Sequence, residues 1–154
     1  VRVRISTNSL ASTDNIQAFS GYLSQREDLL AAGIELYEFK ARPALREELI
    51  DRYPSLADKD PVFALHAKSL LIDDRVVYIG TFNLDPRSAN LNTEVGVLAE
   101  NAELARQLSA SIERDIRPEN SWRTTADYNP DGEVSRSKRL RAWFNSLLPI
   151  EPVL

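Results

Sequence analysis

The stretch LHAKSLLIDDRVVYIGTFNLD, residues 65–85, holds the only histidine of the 154-residue chain. Two apolar runs, FALHAKSLLI from residue 63 and RVVYIG from residue 75, flank Asp73 and Asp74. Runs rich in β-branched and aromatic residues on either side of a turn predict a β-hairpin. The polar residues follow the spacing H-x-K-x4-D-x6-G-[ST]-x-N. A chance match to six such positions has odds on the order of one in a million per start site.

We expect the polar side chains of this hairpin to converge on one patch. Alternate residues of a strand point to the same side, so His66 shares a face with Lys68, and Thr81 shares its parity with Asn83. An imidazole can act as nucleophile or acid–base group near neutrality, whereas an ammonium, a hydroxyl and a carboxamide donate hydrogen bonds. Such a cluster suits a phosphate oxyanion. The competing interpretation is a satisfied core or surface histidine, the commoner fate of a lone histidine in an apolar strand.

Three neighbouring residues have expected roles of their own. Asp73 lies at the turn with parity opposite to His66, so we predict a structural role for it, in the turn or in a salt bridge. Gly80 ends the second strand as a structural part of the motif. A catalytic histidine that works without a metal needs its second ring nitrogen held, and Glu94 on the next strand is the candidate for that role.

The remaining sequence predicts a mixed α/β fold. Residues 1–9 alternate as a strand, a helix follows the caps at 12–15 and stops at Gly33, and residues 34–39 form a strand. This order predicts a parallel pair with a crossover helix. Further predicted elements are a short helix near 44–51 in a surface segment at 40–61, a helix starting at Asp85–Pro86, a strand at 93–100 and a helix capped by Asn101. We expect a mixed β-sheet flanked by helices on both faces.

The C-terminal part differs in character from residues 1–120, which we predict to be the catalytic domain. We interpret residues 117–134 as loop and turn with at most a small hairpin, and residues 121–154 as a C-terminal extension. A basic amphipathic helix is predicted at about 135–148. Its apolar positions are Leu140, Trp143, Phe144, Leu147 and Leu148, and Pro149 is expected to end it. Two interpretations stay open: the helix lies on an anionic membrane, or it packs against protein. The candidate membrane contacts are Arg139, Arg141, Trp143 and Phe144.

Composition disfavours several classes of protein. The net charge of −4 argues mildly against a dedicated nucleic-acid binder. With no cysteine and one histidine, a conventional zinc site is not expected. No apolar run approaches the roughly 18 residues typical of a membrane span. The chain opens directly on VRVRIS, without leader or methionine, so we expect it to be a piece of a longer protein trimmed near a domain boundary.

The six motif positions resemble the HKD motif of the phospholipase D superfamily. They are His66, Lys68, Asp73, Gly80, Thr81 and Asn83, with threonine where the family usually has serine. Glu94 stands where a family glutamate commonly supports the histidine. The stretches TNSLASTDN, GYLSQREDLLAAGIELYE, GTFNLDPRSANLNTEVGV and SLLPIE resemble the C-terminal half of bacterial cardiolipin synthases of the C type. Phe19 stands where these enzymes often have a histidine, a difference that would alter head-group recognition if the position lines the cleft.

The resemblance implies a phospholipase D-like α/β/α sandwich that is one half of a pseudo-two-fold, two-domain enzyme. Two HKD motifs face each other in such enzymes. One histidine forms a phosphohistidine, and the other, here His66, is the general acid–base. Lys68 and Asn83 would hold phosphate oxygens, and Thr81 would keep the hydroxyl donor. No metal or other cofactor is implied.

The implied reaction is phosphatidyl transfer that makes cardiolipin, catalysed peripherally at the bacterial inner membrane. The implied substrates are phosphatidylglycerol and, as a further donor, phosphatidylethanolamine. The missing motif would come from the N-terminal HKD half or from a second copy, without which the chain is expected to be inactive. Three alternatives stay open: a phospholipid hydrolase, a homodimeric single-motif nuclease and a non-catalytic half. The acidic charge disfavours the nuclease, and the intact motif disfavours the non-catalytic role.

Overall fold

The computed structural model describes residues 1–147 and divides their strands between two three-stranded β-sheets. The strands are β1 (Arg4–Asn8), β2 (Glu35–Phe39), β3 (Ser69–Ile72), β4 (Val76–Gly80), β5 (Gly96–Glu100) and β6 (Ser121–Thr124). The α-helices are α1 (Ile16–Ala31), α2 (Arg46–Arg52), α3 (Pro86–Asn90), α4 (Ala102–Asp115) and α5 (Arg136–Ser146). Short 3₁₀ helices occupy Pro54–Lys59 and Pro130–Glu133. The predicted mixed α/β class, with helices flanking the sheets, is confirmed.

The first sheet has the order β1-β2-β6. β1 and β2 are parallel, as the β-α-β pattern predicts, and α1 is the crossover. The side chain of Asn15 caps α1 by accepting from the amide of Ala18 at 3.0 Å, and Gly33 ends the helix with φ 81°. β6 pairs antiparallel with β2, so the interpretation of residues 117–134 as loop and turn missed this strand. Four residues are too few for an alternating pattern to stand out.

The second sheet is an antiparallel meander of β3, β4 and β5. The predicted hairpin turns at residues 73–75, where Asp73 and Asp74 have φ of 50° and 52°. Aspartate tolerates this left-handed backbone better than most residues do. The strands predicted from residues 63 and 93 begin later, at Ser69 and Gly96. Residues 61–68 and 93–95 lie outside the strands, so His66 and Lys68 precede β3 and Glu94 precedes β5.

A hydrophobic core lies between α1 and α5. Its buried members are Leu10, Phe19 and Ala142, with Ile16, Tyr22, Leu23 and Val134 packed around them. The Ser20 hydroxyl donates to the Ala142 carbonyl at 3.1 Å, which ties the two helices together. Phe19 is only 4% exposed. It is therefore a core residue, and the condition stated for altered head-group recognition, that this position lines the cleft, is not met in this structure.

A buried charged cluster holds α1, β2, β6 and the second 3₁₀ helix together. Glu38 is fully buried and accepts from the hydroxyls of Thr124 at 2.8 Å and Tyr22 at 3.0 Å. The Arg26 guanidinium lies 3.2 Å from Glu38 and 2.8 Å from Asp131. Burial raises the pKa of Glu38 above its ordinary value, and the charge of Arg26 opposes that rise. Sequence reasoning did not predict this cluster.

The described residues after 120, up to residue 147, pack on the first sheet and on α1. β6 extends the first sheet, and α5 packs on α1 with Ala142 facing the core. The helix spans 136–146, close to the predicted 135–148, while Leu148 and Pro149 lie outside the described residues. The division at residue 120 between a catalytic domain and an extension stays a prediction.

Candidate active site

Five of the six motif residues line one open cleft of about 650 Å³ at the end of β4. Its lining residues are His66, Lys68, Gly80, Thr81, Asn83, Asn92, Thr93, Glu94 and Val95. The structure thus brings together the five residues proposed for chemistry. Asp73 lies in the turn at the other end of the hairpin.

The end of β4 explains why these side chains meet. The Gly80 amide donates to the Lys68 carbonyl at 3.0 Å, so these two residues face each other across the hairpin. Strict alternation would then turn Thr81 to the opposite side from Lys68. The strand ends at Gly80 instead, and the following turn brings Thr81 and Asn83 to the cleft. A Cβ at Gly80 would lie 2.6 Å from the Val95 carbonyl oxygen, so this close approach requires glycine.

His66 and Lys68 form a direct pair in the cleft. The Lys68 ammonium lies 3.1 Å from Nε2 of His66 and 3.3 Å from the His66 carbonyl. An ammonium has only donors, so Nε2 accepts in this arrangement and the proton of a neutral imidazole is on Nδ1. The imidazole is exposed to solvent. Its lone pair is therefore pointed at the cation that the motif places beside it.

Glu94 has different partners from those expected. It accepts from the Thr81 hydroxyl at 2.5 Å and from the Asn92 amide at 3.1 Å, whereas the imidazole of His66 bonds to Lys68. The expected support of His66 by Glu94 is not part of this structure. Glu94 lies beside Thr81 because β5 begins only at Gly96 and the Val95 amide before it donates to the Thr81 hydroxyl.

The Glu94 carboxylate is stabilised in its ionised form. The Thr81 hydroxyl lowers the pKa of Glu94 most, hydrogen bonds from Ser88 and Asn92 lower it further, and the charge of Lys68 adds a smaller effect. At neutral pH the cleft thus holds a carboxylate that accepts from hydroxyl and amide donors and is further stabilised by the charge of Lys68.

Two residues of the site were missed at the sequence level, Ser88 and Asn92. Ser88 is 4% exposed, and its hydroxyl accepts from the Asn83 amide at 3.3 Å. Asn92 donates to Glu94 and accepts from Arg87 at 3.2 Å. The spacing R-S-x3-N-x-E over residues 87–94 was the available signal, since it places these polar groups on α3 and the loop after it.

Replacing Thr81 with valine is expected to raise the pKa of Glu94 towards its ordinary value of about 4.3. A lowered acid pKa contributes stability above the ordinary value and loses it as the pH falls through the lowered value. Thr81→Val should therefore flatten the acid limb of the stability profile. The measurement is a carbon-detected NMR titration of the Glu94 carboxyl, with urea unfolding in parallel. Thr81→Ser keeps the donor and is the matched control; an unchanged titration in Thr81→Val would contradict the assignment.

The proposed membrane contacts lie on an exposed side of α5. Trp143 and Phe144 are 55% and 58% exposed, and Arg139 and Arg141 are exposed as well. Leu140 and Leu147 extend this apolar surface. Since Ala142 is the residue buried against α1, the apolar stripe points away from the core.

Within residues 1–147, no helix is both long and apolar enough to cross a bilayer. In the same range, no three His, Cys, Asp or Glu side chains converge as a set of metal ligands.

Comparison with known families agrees with the motif. Residues 1–116 match the family described as cardiolipin synthase, PLD-like domain. The chain is 42% identical to cardiolipin synthase C of Escherichia coli K12 over 106 residues, which is 69% of this chain and 22% of that protein. It is 31% identical to cardiolipin synthase 1 of Staphylococcus aureus COL over 93 residues, which is 60% of this chain and 15% of that protein.

A solved structure agrees with the fold. The phosphatidylserine synthase of Haemophilus influenzae Rd KW20 superposes with a TM-score of 0.55 at 15% identity, over 99% of this chain and 36% of that one. The chain spans about a fifth of the length of cardiolipin synthase C. By the match over residues 1–116, the chain belongs to the phospholipase D-like domain family of the cardiolipin synthases.

Proposed function

We propose that this chain supplies one half of the active site of a phosphatidyltransferase that makes cardiolipin, with His66 as general acid–base. The observation that carries the proposal is the single cleft lined by His66, Lys68, Thr81 and Asn83, with the ammonium 3.1 Å from Nε2. A titratable imidazole surrounded by donors suits transfer of a phosphoryl group. The family membership supports a phospholipid as the substrate.

The proposed reaction has two steps. In the first step, the histidine of a second HKD motif attacks phosphorus and forms a phosphohistidine. The bond between phosphorus and the oxygen of the leaving alcohol breaks, and protonated His66 donates its proton to that oxygen. In the second, neutral His66 takes the proton of the incoming hydroxyl while its oxygen attacks the phosphohistidine. The first histidine leaves, and both groups return to their starting forms. Phosphatidylglycerol is the proposed acceptor, and either phosphatidylglycerol or phosphatidylethanolamine is the donor.

The contact between the Lys68 ammonium and Nε2 matches the neutral form of His66, which takes the proton in the second step. A phosphate oxyanion is a stronger acceptor for an ammonium than a neutral imidazole is. The phosphoryl group bound in the cleft would therefore draw Lys68 from Nε2 and leave that nitrogen free to take the proton of the incoming hydroxyl. Asn83, on the same cleft, would donate to a second phosphate oxygen.

The second motif is proposed to come from the N-terminal half of the same enzyme or from a second copy of this chain. Only one motif of the H-x-K-x4-D type occurs in the sequence. The cleft is open, and His66 is exposed within it, which supports closure by another surface. In this proposal residues 1–120 are the catalytic half and residues 121–154 its extension.

The enzyme is proposed to act peripherally at the bacterial inner membrane, with α5 as a contact. The basic residues Arg139 and Arg141 flank an exposed apolar surface that includes Trp143 and Phe144. Aromatic and basic residues in that arrangement favour the interface of an anionic bilayer.

The double change Trp143→Ser and Phe144→Ser is expected to weaken binding to phosphatidylglycerol vesicles by about tenfold or more, because burial of one aromatic side chain stabilises by about 1.5–3 kcal/mol. Vesicle cosedimentation measures it. Point changes are preferable to deleting residues 135–154, since Ala142 packs in the core. Leu104→Ser on α4, 43% exposed, is the matched control. Equal binding by the double variant would favour the interpretation that α5 contacts protein.

A lipid-product assay tests the proposed activity. The complete two-motif enzyme is given phosphatidylglycerol vesicles with and without phosphatidylethanolamine, and its products are separated. Cardiolipin with released glycerol supports transfer, and cardiolipin formed faster with phosphatidylethanolamine identifies that lipid as a donor. Phosphatidic acid alone would indicate a hydrolase, for which the open cleft offers access to water. Salt-sensitive binding and cleavage of DNA would instead revive the nuclease.

A further inference from the structure

Asn8, the last residue of β1, holds the backbone just before His66. Its Nδ2 donates to the Leu65 carbonyl at 2.9 Å, and the Leu65 amide donates to its Oδ1 at 2.7 Å. A carboxamide that bonds both backbone groups of one residue takes the place of a rung in a β-ladder. We propose that Asn8 is a positioning residue that sets the place of the His66 imidazole in the cleft. This inference rests on the proposed role of His66.

The segment that carries His66 has few other anchors. β3 begins only at Ser69. Within residues 61–68, the backbone–backbone hydrogen bonds run from the Phe63 amide to the Ala41 carbonyl at 3.3 Å and from the Gly80 amide to the Lys68 carbonyl at 3.0 Å. These lie three residues before and two residues after His66. The two hydrogen bonds between Asn8 and Leu65 are only one residue from His66. They are therefore the nearest hydrogen-bonded constraint on the backbone N-terminal to the imidazole.

Asn8 is itself held by a hydrogen-bonded turn that contains two buried serines. The Ser12 hydroxyl donates to Oδ1 of Asn8 at 3.3 Å, and the Ser9 hydroxyl donates to the Phe39 carbonyl at 2.6 Å. Ser9 and Ser12 are 0% and 1% exposed. The carboxamide of Asn8 thus connects the first sheet to the segment before β3 of the second sheet, and it fixes that segment relative to β1. A functional group fixed by a partner that is itself fixed keeps its geometry, and a displacement of about 1 Å can cost on the order of 100-fold in rate.

Two substitutions distinguish the contributions of the two hydrogen bonds between Asn8 and Leu65. Asn8→Ala removes both hydrogen bonds to Leu65. Asn8→Asp has nearly the same shape and keeps an acceptor for the Leu65 amide, but it places an oxygen against the Leu65 carbonyl. Asn101→Ala is the matched control, because it removes the cap that accepts from the Leu104 amide at 3.0 Å. Asn101 lies at the opposite end of β4 from Gly80. The Asn101→Ala change therefore destabilises α4 without affecting the contacts of Leu65.

The only histidine of the chain gives a single imidazole signal by NMR, which reports on His66 without an activity assay. In Asn8→Ala we expect the Leu65 amide to exchange at least about tenfold faster and the imidazole signal to shift. In Asn8→Asp the amide should stay protected while the imidazole signal still shifts. Asn101→Ala should change neither. An unchanged imidazole signal in Asn8→Ala would overturn the proposal.

The rate provides a second readout. In the two-motif enzyme, Asn8→Ala should lower kcat on the order of 100-fold and leave KM within about twofold, because the change acts on the reacting geometry and not on substrate binding. A shifted imidazole signal with wild-type kcat would overturn the positioning role. If the wild-type enzyme forms no lipid product, the proposed function fails, and the NMR comparison still decides whether Asn8 positions His66.

Discussion

Replacing Glu38 with alanine is expected to destabilise the chain by about 3–5 kcal/mol, because it leaves a buried guanidinium without one of its counter-ions. The Glu38 carboxylate is fully buried, and the Arg26 side chain is 6% exposed. The change also leaves the hydroxyls of Tyr22 and Thr124 without their acceptor. Asp131 still pairs with Arg26 at 2.8 Å, which places the effect at the lower end of that range.

Urea unfolding of the wild type, Glu38→Ala and Glu38→Gln measures this effect. Burial raises the pKa of Glu38, so the folded chain binds the proton more tightly than the unfolded chain does. Stability therefore falls as the pH rises through the window above the ordinary glutamate value of about 4.3. Glu38→Gln, which cannot ionise, should lack that fall. Glu103→Ala, whose pair with Arg106 is exposed, is the control expected to change little. Equal midpoints for Glu38→Ala and the wild type would contradict the account of the cluster.

The second large effect is kinetic: His66→Ala is expected to reduce the turnover of the two-motif enzyme on the order of 10²–10⁴-fold. The imidazole is the group proposed to give the leaving alcohol its proton and to take the proton of the incoming hydroxyl. Neither Lys68 nor Asn83 is expected to replace it, because each is proposed to donate to the phosphate. Initial rates of glycerol release from phosphatidylglycerol vesicles measure the loss.

The exposure of His66 makes that experiment clean. An exposed side chain contributes little packing, so the thermal unfolding of His66→Ala should match that of the wild type. If the 154-residue chain alone is inactive, the same change in it should have little kinetic effect, since its sequence holds one motif. Wild-type turnover in the two-motif His66→Ala enzyme would remove the acid–base role.

The parts of the fold with local signals were predictable. Alternation at residues 1–9 and 34–39 with helical spacing between them predicts the parallel pair, and the caps Asn15 and Asn101 lie where the sequence predicts them. The motif spacing predicts the residues that line the cleft. From the sequence, these side chains are expected to converge through alternation along a continuous strand. In the structure they meet because β4 ends at Gly80 and the chain turns there.

The remaining features depend on contacts that are distant in the sequence. Arg26 and Asp131 lie 105 residues apart, and no local pattern relates them. The periodicity of α5 predicts an apolar stripe, but it cannot show that the small residue Ala142 faces the core while Trp143 faces out. Glu94 was assigned to His66 by its place after the hairpin, and the late start of β5 gives it to Thr81 instead.

The most direct test of the central claim compares the lipid products of the two-motif enzyme carrying this chain with those of its His66→Ala variant. Mass spectrometry identifies the lipids formed from phosphatidylglycerol vesicles, and released glycerol is counted in the same samples. The account predicts cardiolipin and glycerol from the wild type and neither above background from the variant. Cardiolipin formed by the variant at the wild-type rate would contradict it.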